Sequence, residues 1–129
     1  VKARYPQAAV MTAEPTGFDD HAKSLRAGRR EAHDGKSRTI CDALMAPIPG
    51  EVTFAINRAL GVLGVVASDD EVGVAVGTAF RELKLVVEPG GAVALAALLA
   101  GRCEARGKTM VVVLSGGNVD ADVFARLIG

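Results

Sequence analysis

Val62-Leu63-Gly64-Val65-Val66, followed by Ser68-Asp69-Asp70-Glu71, is the stretch of sequence that decides the fold. The first five residues form an apolar run without polar alternation, which is typical of a strand buried on both faces of a parallel sheet. Ser68 and Glu71 have the spacing of a capping box, which marks the start of a helix. That helix would continue along one apolar face, formed by Val72, Val76, Phe80 and Leu83.

Alternating strands and helices are predicted on both sides of this stretch. The further strands are predicted at 8–13 and 109–114, and the further helices at 18–27, 51–60, 92–100 and 120–128. Helix 51–60 would bury the stripe Val52, Ala55, Ile56, Ala59 and Leu60, and helix 92–100, apolar on every side, would pack between other elements. The pattern predicts an α/β fold, with a mainly parallel sheet and helices on both faces.

Composition limits the classes of function. The chain has 129 residues, 50% of them hydrophobic, with 15 basic and 15 acidic side chains and 4% aromatics. This fits one domain with a real core, and it argues against a nucleic-acid partner, which would need a basic surface. Cys41 and Cys103 have no metal-site or disulfide spacing, and no apolar run is long enough for a membrane span. We expect a reducing cytoplasm.

Ser115-Gly116-Gly117-Asn118 follows the predicted strand 109–114. The carboxyl ends of strands are where α/β sheets hold ligands, and the glycines let the backbone come close to one. A plain strand-to-helix turn explains the tetrapeptide equally well.

Glu14 ends the first predicted strand, and Asp19 and Asp20 begin the next helix. Two carboxylates with main-chain carbonyl groups between them form an oxygen set that suits Mg²⁺ or Ca²⁺. The simpler interpretation, which the residues alone favour, is that both aspartates cap the helix while Glu14 is solvated.

Other polar residues favour structural roles. Glu88 would repel a phosphate group from the glycines of Glu88-Pro89-Gly90-Gly91, so a close-packed turn is expected there. His21 and His33 fit no metal or triad spacing and are predicted to face solvent, and Lys84 is predicted to be a solvated charge at a helix end.

The order of these motifs along the chain resembles the threonine/serine dehydratases that depend on pyridoxal phosphate, including the serine racemase branch. The matching segments cover nearly the whole chain. They are Glu14-Pro15-x-x-x-Asp19-Asp20, Thr39–Leu44, Pro49–Phe54, Leu83–Ala92 and Val113–Asp120.

This resemblance implies the larger domain of a fold-type II enzyme and the cofactor pyridoxal 5'-phosphate. It implies that Ser115 hydrogen-bonds the pyridine nitrogen, that Gly116, Gly117 and Asn118 shape its loop, and that Glu88 lies near the cofactor. A neutral hydroxyl group there suits elimination of the β-hydroxyl of L-threonine or L-serine, giving a 2-oxo acid and ammonia.

The resemblance also implies a divalent-cation site formed by Glu14, the carbonyl group of Phe18 and Asp20. Two segments depart from the family pattern. Where the family commonly has Thr-Ile-Ala-Asp-Gly-Leu, this chain has Cys41 in place of the alanine and Ala43 in place of the glycine. Gly90 stands where the family often has serine. These departures concern the choice of substrate more than the fold.

The family's Schiff-base lysine and its Gly-rich phosphate loop have no match in this sequence. Residues 1–129 are therefore expected to be the C-terminal part of a catalytic domain, without a catalytic residue of their own and inactive without the upstream half. The expected partners are that half, an amino-acid substrate and further copies of the chain. The alternative is a non-catalytic binding or assembly module, or a truncated remnant.

Overall fold

A computed structural model describes all 129 residues, Val1 to Gly129. Two strands and five α-helices follow one another along the chain, with one turn of 3-10 helix at Asp42–Leu44. In chain order the elements are β1 (Met11–Pro15), α1 (Asp20–Ala27), α2 (Glu51–Ala59), β2 (Leu63–Ala67), α3 (Asp69–Leu83), α4 (Pro89–Leu99) and α5 (Ala121–Ile128).

The sheet consists of β1 and β2, which run parallel with Met11 opposite Leu63 and Pro15 opposite Ala67. Parallel strands need a crossover connection, and α1 and α2 lie within it. Both strands begin later than predicted, at Met11 rather than residue 8 and at Leu63 rather than residue 62. The ends of a strand depend on where its partner offers hydrogen bonds, which the apolar run alone does not specify.

Helices cover both faces of this sheet, as predicted. On one face α1 approaches β2 so closely that a Cβ atom added to Gly64 would lie 2.4 Å from the Cβ atom of Ala22. On the other face Ala13, Val65 and Ala67 join the core formed by α3 and α4. The fold is therefore α/β, in agreement with the sequence.

The capping box of α3 is present. The Glu71 amide donates to Ser68 Oγ over 3.3 Å, and the Ser68 amide donates to Glu71 Oε2 over 2.8 Å. Val72 and Val76 are fully buried, whereas Phe80 is 39% exposed and packs edge-on against Phe124 of α5. The start of α3 is thus predicted correctly, and its last turns are less buried than expected.

Helix α4 lies between other elements, as its uniformly apolar sequence predicted. It begins at Pro89, three residues before the predicted start, because proline is tolerated in the first turn of a helix. Residues 89–93, Ala96 and Ala97 are buried.

The strand predicted at 109–114 is not formed. Residues 109–115 make no main-chain hydrogen bond, and Val111 and Val113 are 87% and 69% exposed. A β-strand exists only where a neighbouring strand completes its hydrogen bonds, and no other segment of this chain does so. The prediction of a strand from β-branched residues was therefore wrong for this chain.

The predicted apolar stripe of α2 is exposed rather than buried. Val52, Ile56 and Leu60 have exposed fractions of 71%, 52% and 45%, and Phe54 is the buried residue of this helix. The helix itself spans Glu51–Ala59, close to its predicted bounds. Periodicity identified an apolar face, but no element of this chain packs against it. None of the helices combines the length and the hydrophobicity that a membrane span requires.

Candidate functional site

Residues 115–118, here called the Ser115 loop, lead from segment 109–114 towards α5. Ser115 is exposed, and its hydroxyl group makes no hydrogen bond to the rest of the chain. The loop is held from behind by Glu88, whose amide donates to the Gly116 carbonyl over 3.0 Å and whose Oε2 accepts from the Asn118 amide over 2.9 Å. The Ser115 loop therefore presents a free hydroxyl group on a fixed backbone.

The glycines of this region let three backbone segments approach closely. A Cβ atom added to Gly116 would lie 2.7 Å from Glu88 Oε1, and one added to Gly117 would lie 2.7 Å from the Val86 carbonyl oxygen. A Cβ atom at Gly91 would lie 2.8 Å from the Gly116 carbonyl oxygen. The turn at Glu88 is thus the close-packed turn that the sequence favoured, and it packs against the Ser115 loop.

The 3-10 turn at 42–44 packs on the same end of α4 from another side. The position of a Cβ atom on Gly90 is 3.6 Å from the Cβ atom of Ala43 and 3.5 Å from Leu44 Cγ. Ala43 and Gly90, two of the three residues that depart from the family pattern, therefore lie close to one another. Sequence reasoning treated them separately, because they lie 47 positions apart in the chain.

Asp69 holds the segment that precedes this turn, a role that the sequence analysis missed. Its carboxylate accepts from the Thr39 hydroxyl over 2.6 Å and from the Ile40 amide over 3.0 Å. Cys41 follows in the core with no exposed surface, and burial raises the pKa of its thiol to about 11. The sequence signal for this role of Asp69 is weak. It consists only of the position of Asp69 directly after Ser68, in the first turn of α3.

Glu14 caps α1. Its two carboxylate oxygens accept from the amides of His21 and Ala22, over 2.8 and 2.7 Å. Burial raises the pKa of Glu14 to about 7, against the lowering effect of these two hydrogen bonds and with a smaller contribution from the charges of Asp20 and Asp19. The interpretation in which both aspartates cap the helix and Glu14 is solvated is therefore wrong. Glu14 caps the helix, and Asp19 makes no side-chain cap.

Phe18 and Asp20, the other two predicted cation ligands, lie next to this cap. Both are buried, at 2% and 5% exposure, and the Phe18 carbonyl accepts no hydrogen bond. Burial raises the pKa of Asp20. No cluster of three or more His, Cys, Asp or Glu side chains is arranged to hold a metal ion. A cation here would depend on two carboxylates and a main-chain carbonyl group.

The two histidines do not simply face solvent, as was expected. His21 packs edge-on to Phe54 with its Nε2 3.0 Å from Asn57 Nδ2, and burial lowers its pKa. The His33 ring lies 4.5 Å from the ring of Phe18. Their local sequence gave no sign of these aromatic neighbours. Lys84 is exposed at the end of α3, as predicted.

Comparison with protein families decides the identity of the chain. The sequence-family model of the pyridoxal-phosphate-dependent enzymes matches residues 1–116 of the chain. The chain belongs to this family.

Its relatives in this family are dehydratases, ammonia-lyases and racemases. The chain is 38% identical to the phenylserine dehydratase of Ralstonia pickettii, over 100% of its own length and 40% of that enzyme. It is 32% identical to the serine racemase of Dictyostelium discoideum, over 98% of the chain and 40% of that enzyme. The crystal structure of a threonine deaminase from T.th. superposes with a TM-score of 0.85 at 38% identity, covering 93% of this chain and 43% of that one.

These matches establish the fold as part of a fold-type II pyridoxal-phosphate enzyme. The chain spans less than half the length of the relatives that it matches.

Proposed function

We propose that this chain is the C-terminal part of the catalytic domain of a dehydratase that acts on L-threonine or L-serine. The reaction would remove the β-hydroxyl group and give a 2-oxo acid and ammonia. The observation that carries the proposal is Ser115, an exposed hydroxyl group without an internal partner on a loop that Glu88 fixes. The dehydratase and deaminase activities named for two of the relatives support the reaction class.

The Ser115 loop fits the pyridine edge of pyridoxal phosphate. A hydroxyl group donates one hydrogen bond to a ring nitrogen without adding a charge, and the loop brings no large side chain that would exclude the ring. When bound, pyridoxal phosphate supplies the electron sink that stabilises negative charge at the substrate α-carbon. Because Ser115 is neutral, it does not force a full proton onto the ring, which favours elimination over transamination.

Each predicted cofactor residue has a place in this proposal. Ser115 would orient the ring, while Gly116 and Gly117 would bring the backbone close to it. Glu88 and Asn118 would hold the loop in place. The Schiff-base lysine and the phosphate loop would come from a segment that corresponds to the uncovered part of the relatives, so the chain alone is expected to be inactive.

The test of this function is a chimaera in which the chain replaces the matching part of the Ralstonia pickettii phenylserine dehydratase. We expect it to release ammonia and a 2-oxo acid from L-threonine or L-serine. Ser115→Ala should lower kcat and shift the absorbance of the bound cofactor, whereas Ser37→Ala, on a different loop, should change neither. Undiminished turnover with an unchanged spectrum in Ser115→Ala would refute the assignment.

We also propose that Glu14, the Phe18 carbonyl group and Asp20 hold Mg²⁺ or Ca²⁺ as a structural cation. The support is the free carbonyl oxygen of Phe18, together with the carboxylates of Glu14 and Asp20; the charge of Asp20 contributes to raising the pKa of Glu14, after burial. A cation would relieve that repulsion. Oxygen ligands of this kind suit hard cations.

Thermal unfolding with added Ca²⁺ or Mg²⁺, and then with EDTA, tests this site. The cation should raise the Tm of the wild type, and Asp20→Asn should abolish that rise while leaving the Glu14 cap intact. Asp122→Asn, an exposed aspartate of α5, is the matched control and should keep the rise. A Tm that does not respond to either cation would contradict the site.

We further expect copies of the chain to associate through the exposed apolar residues of α2, since such a surface favours burial against a partner. Sedimentation of the wild type and of Ile56→Lys should then differ in mass. Equal monomer mass for both would contradict this expectation.

A further inference from the structure

Glu88 directs its carboxylate away from its own helix. It is the N-cap residue of α4, a position at which the side-chain oxygen of a short polar residue commonly accepts from the free amides of the helix. Its side chain makes no such cap. Oε2 instead accepts the amide of Asn118, 30 residues further along the chain, over 2.9 Å.

The rest of Glu88 also contacts the Ser115 loop. Its amide donates to the Gly116 carbonyl over 3.0 Å, and its carboxylate occupies the space in which any side chain at position 116 would have to lie. Two hydrogen bonds therefore hold residues 116–118 from the side of α4, and the Glu88 carboxylate fills the space beside Gly116. The Ser115 hydroxyl group is left free, directly before the residues that Glu88 holds.

We propose that Glu88 is a positioning residue, which acts on the reaction through the Ser115 loop and not by contact with the cofactor. This inference rests on the proposed function, in which Ser115 meets the pyridine ring. If the loop moves when Glu88 is lost, the Ser115 hydroxyl group moves with it. A displacement of about 1 Å at a reacting group can lower a rate about 100-fold.

Amide hydrogen exchange in the chain itself tests the contact. Asn118 is exposed, so its amide is protected chiefly by the bond to Glu88. Glu88→Ala should raise the exchange rate of that amide about 10-fold or more, and Glu88→Gln should largely keep the protection because its carbonyl oxygen still accepts. Glu82→Ala, at the exposed end of α3, is the control. An unchanged Asn118 rate in Glu88→Ala would overturn the proposal.

A double-mutant cycle in the chimaera tests how Glu88 acts. Glu88→Ala and Ser115→Ala are measured singly and together, by kcat/KM and by the absorbance of the bound cofactor. If Glu88 acts only through Ser115, the double variant should match Ser115→Ala within about 2-fold, since residues that act as one unit are not additive. Additive losses would show that Glu88 acts on the cofactor or substrate directly, and would overturn the inference.

The two failures are distinguishable. A Ser115→Ala chimaera with full turnover and an unchanged spectrum would refute the proposed function, whatever Glu88 does. A Ser115→Ala chimaera that is impaired, combined with additive loss from Glu88→Ala, would leave the proposed function intact and refute the positioning role alone. Recovery of turnover in Glu88→Gln relative to Glu88→Ala would support the positioning role, because the glutamine can still accept from the Asn118 amide.

Discussion

Gly90 and Gly91 provide a matched test of the packing around the Ser115 loop. They are neighbours in the first turn of α4, both are buried, and each can be changed to alanine. A Cβ atom at position 90 would meet Leu44 at 3.5 Å and Ala43 at 3.6 Å, which are ordinary van der Waals distances. A Cβ atom at position 91 would lie 2.8 and 2.9 Å from the carbonyl oxygen and amide nitrogen of Gly116, so this backbone would have to move.

The expected free energies of unfolding follow from these distances. Alanine is favoured over glycine inside a helix by about 0.5–1 kcal/mol, and Gly90→Ala should gain up to that amount. Gly91→Ala has the same gain, but it overpacks the loop at a cost of about 1–3 kcal/mol. Because the helix term is common to both variants, it cancels in the difference between them, which is dominated by the overpacking cost.

Urea unfolding followed by circular dichroism measures this difference. Gly90→Ala should have a higher midpoint than the wild type, and Gly91→Ala a lower one, with equal m values. Hydrogen exchange in Gly91→Ala should also rise at residues 116–118, because the loop is displaced. Equal midpoints for the two variants, or a more stable Gly91→Ala, would refute the close approach of α4 to the Ser115 loop.

Three further outcomes are expected from the same structure. Iodoacetamide should label Cys103 in the native chain and Cys41 only on unfolding, as measured by mass spectrometry. Labelling of Cys41 before Cys103 in the native chain would contradict the burial of Cys41. The hydrogen bond from the Ser68 amide is the main cause that lowers the pKa of Glu71 below its ordinary 4.5. The ionised Glu71 therefore stabilises the fold fully above pH 4.5, and this stabilisation is lost as the pH falls through the lowered pKa. The stability difference between wild type and Glu71→Gln should therefore shrink in acid, and a constant difference would contradict this. Gly64→Ala should lower the free energy of unfolding in urea by about 1–3 kcal/mol or more, because its Cβ atom would lie within 2.5 Å of the Cα and Cβ atoms of Ala22.

The parts of the fold that were predictable depend on local interactions. The start of α3 is determined by a serine and a glutamate three residues apart, and both hydrogen bonds of the box are present. The end of α1 at Gly28 is likewise local, because its left-handed backbone, with φ of 71°, favours glycine. Such features need no knowledge of the rest of the molecule.

The parts that could not be predicted depend on distant partners. Segment 109–114 has the composition of a buried strand, yet no strand of this chain pairs with it. The same holds for Val52 and Ile56 of α2, whose spacing shows an apolar face but not what covers it. At the candidate site, the sequence pointed to Ser115 and Glu88 separately. Only the structure shows that Glu88 holds the Ser115 loop.

The unpaired amide and carbonyl groups of residues 109–115 have a consequence for the behaviour of the chain in solution. A backbone with unpaired amide and carbonyl groups and exposed valines is a template on which identical chains can add in register. Purified protein at high concentration should therefore form thioflavin-binding fibrils, with this heptapeptide at their centre. Val111→Lys, which places a charge on that edge, should delay their growth.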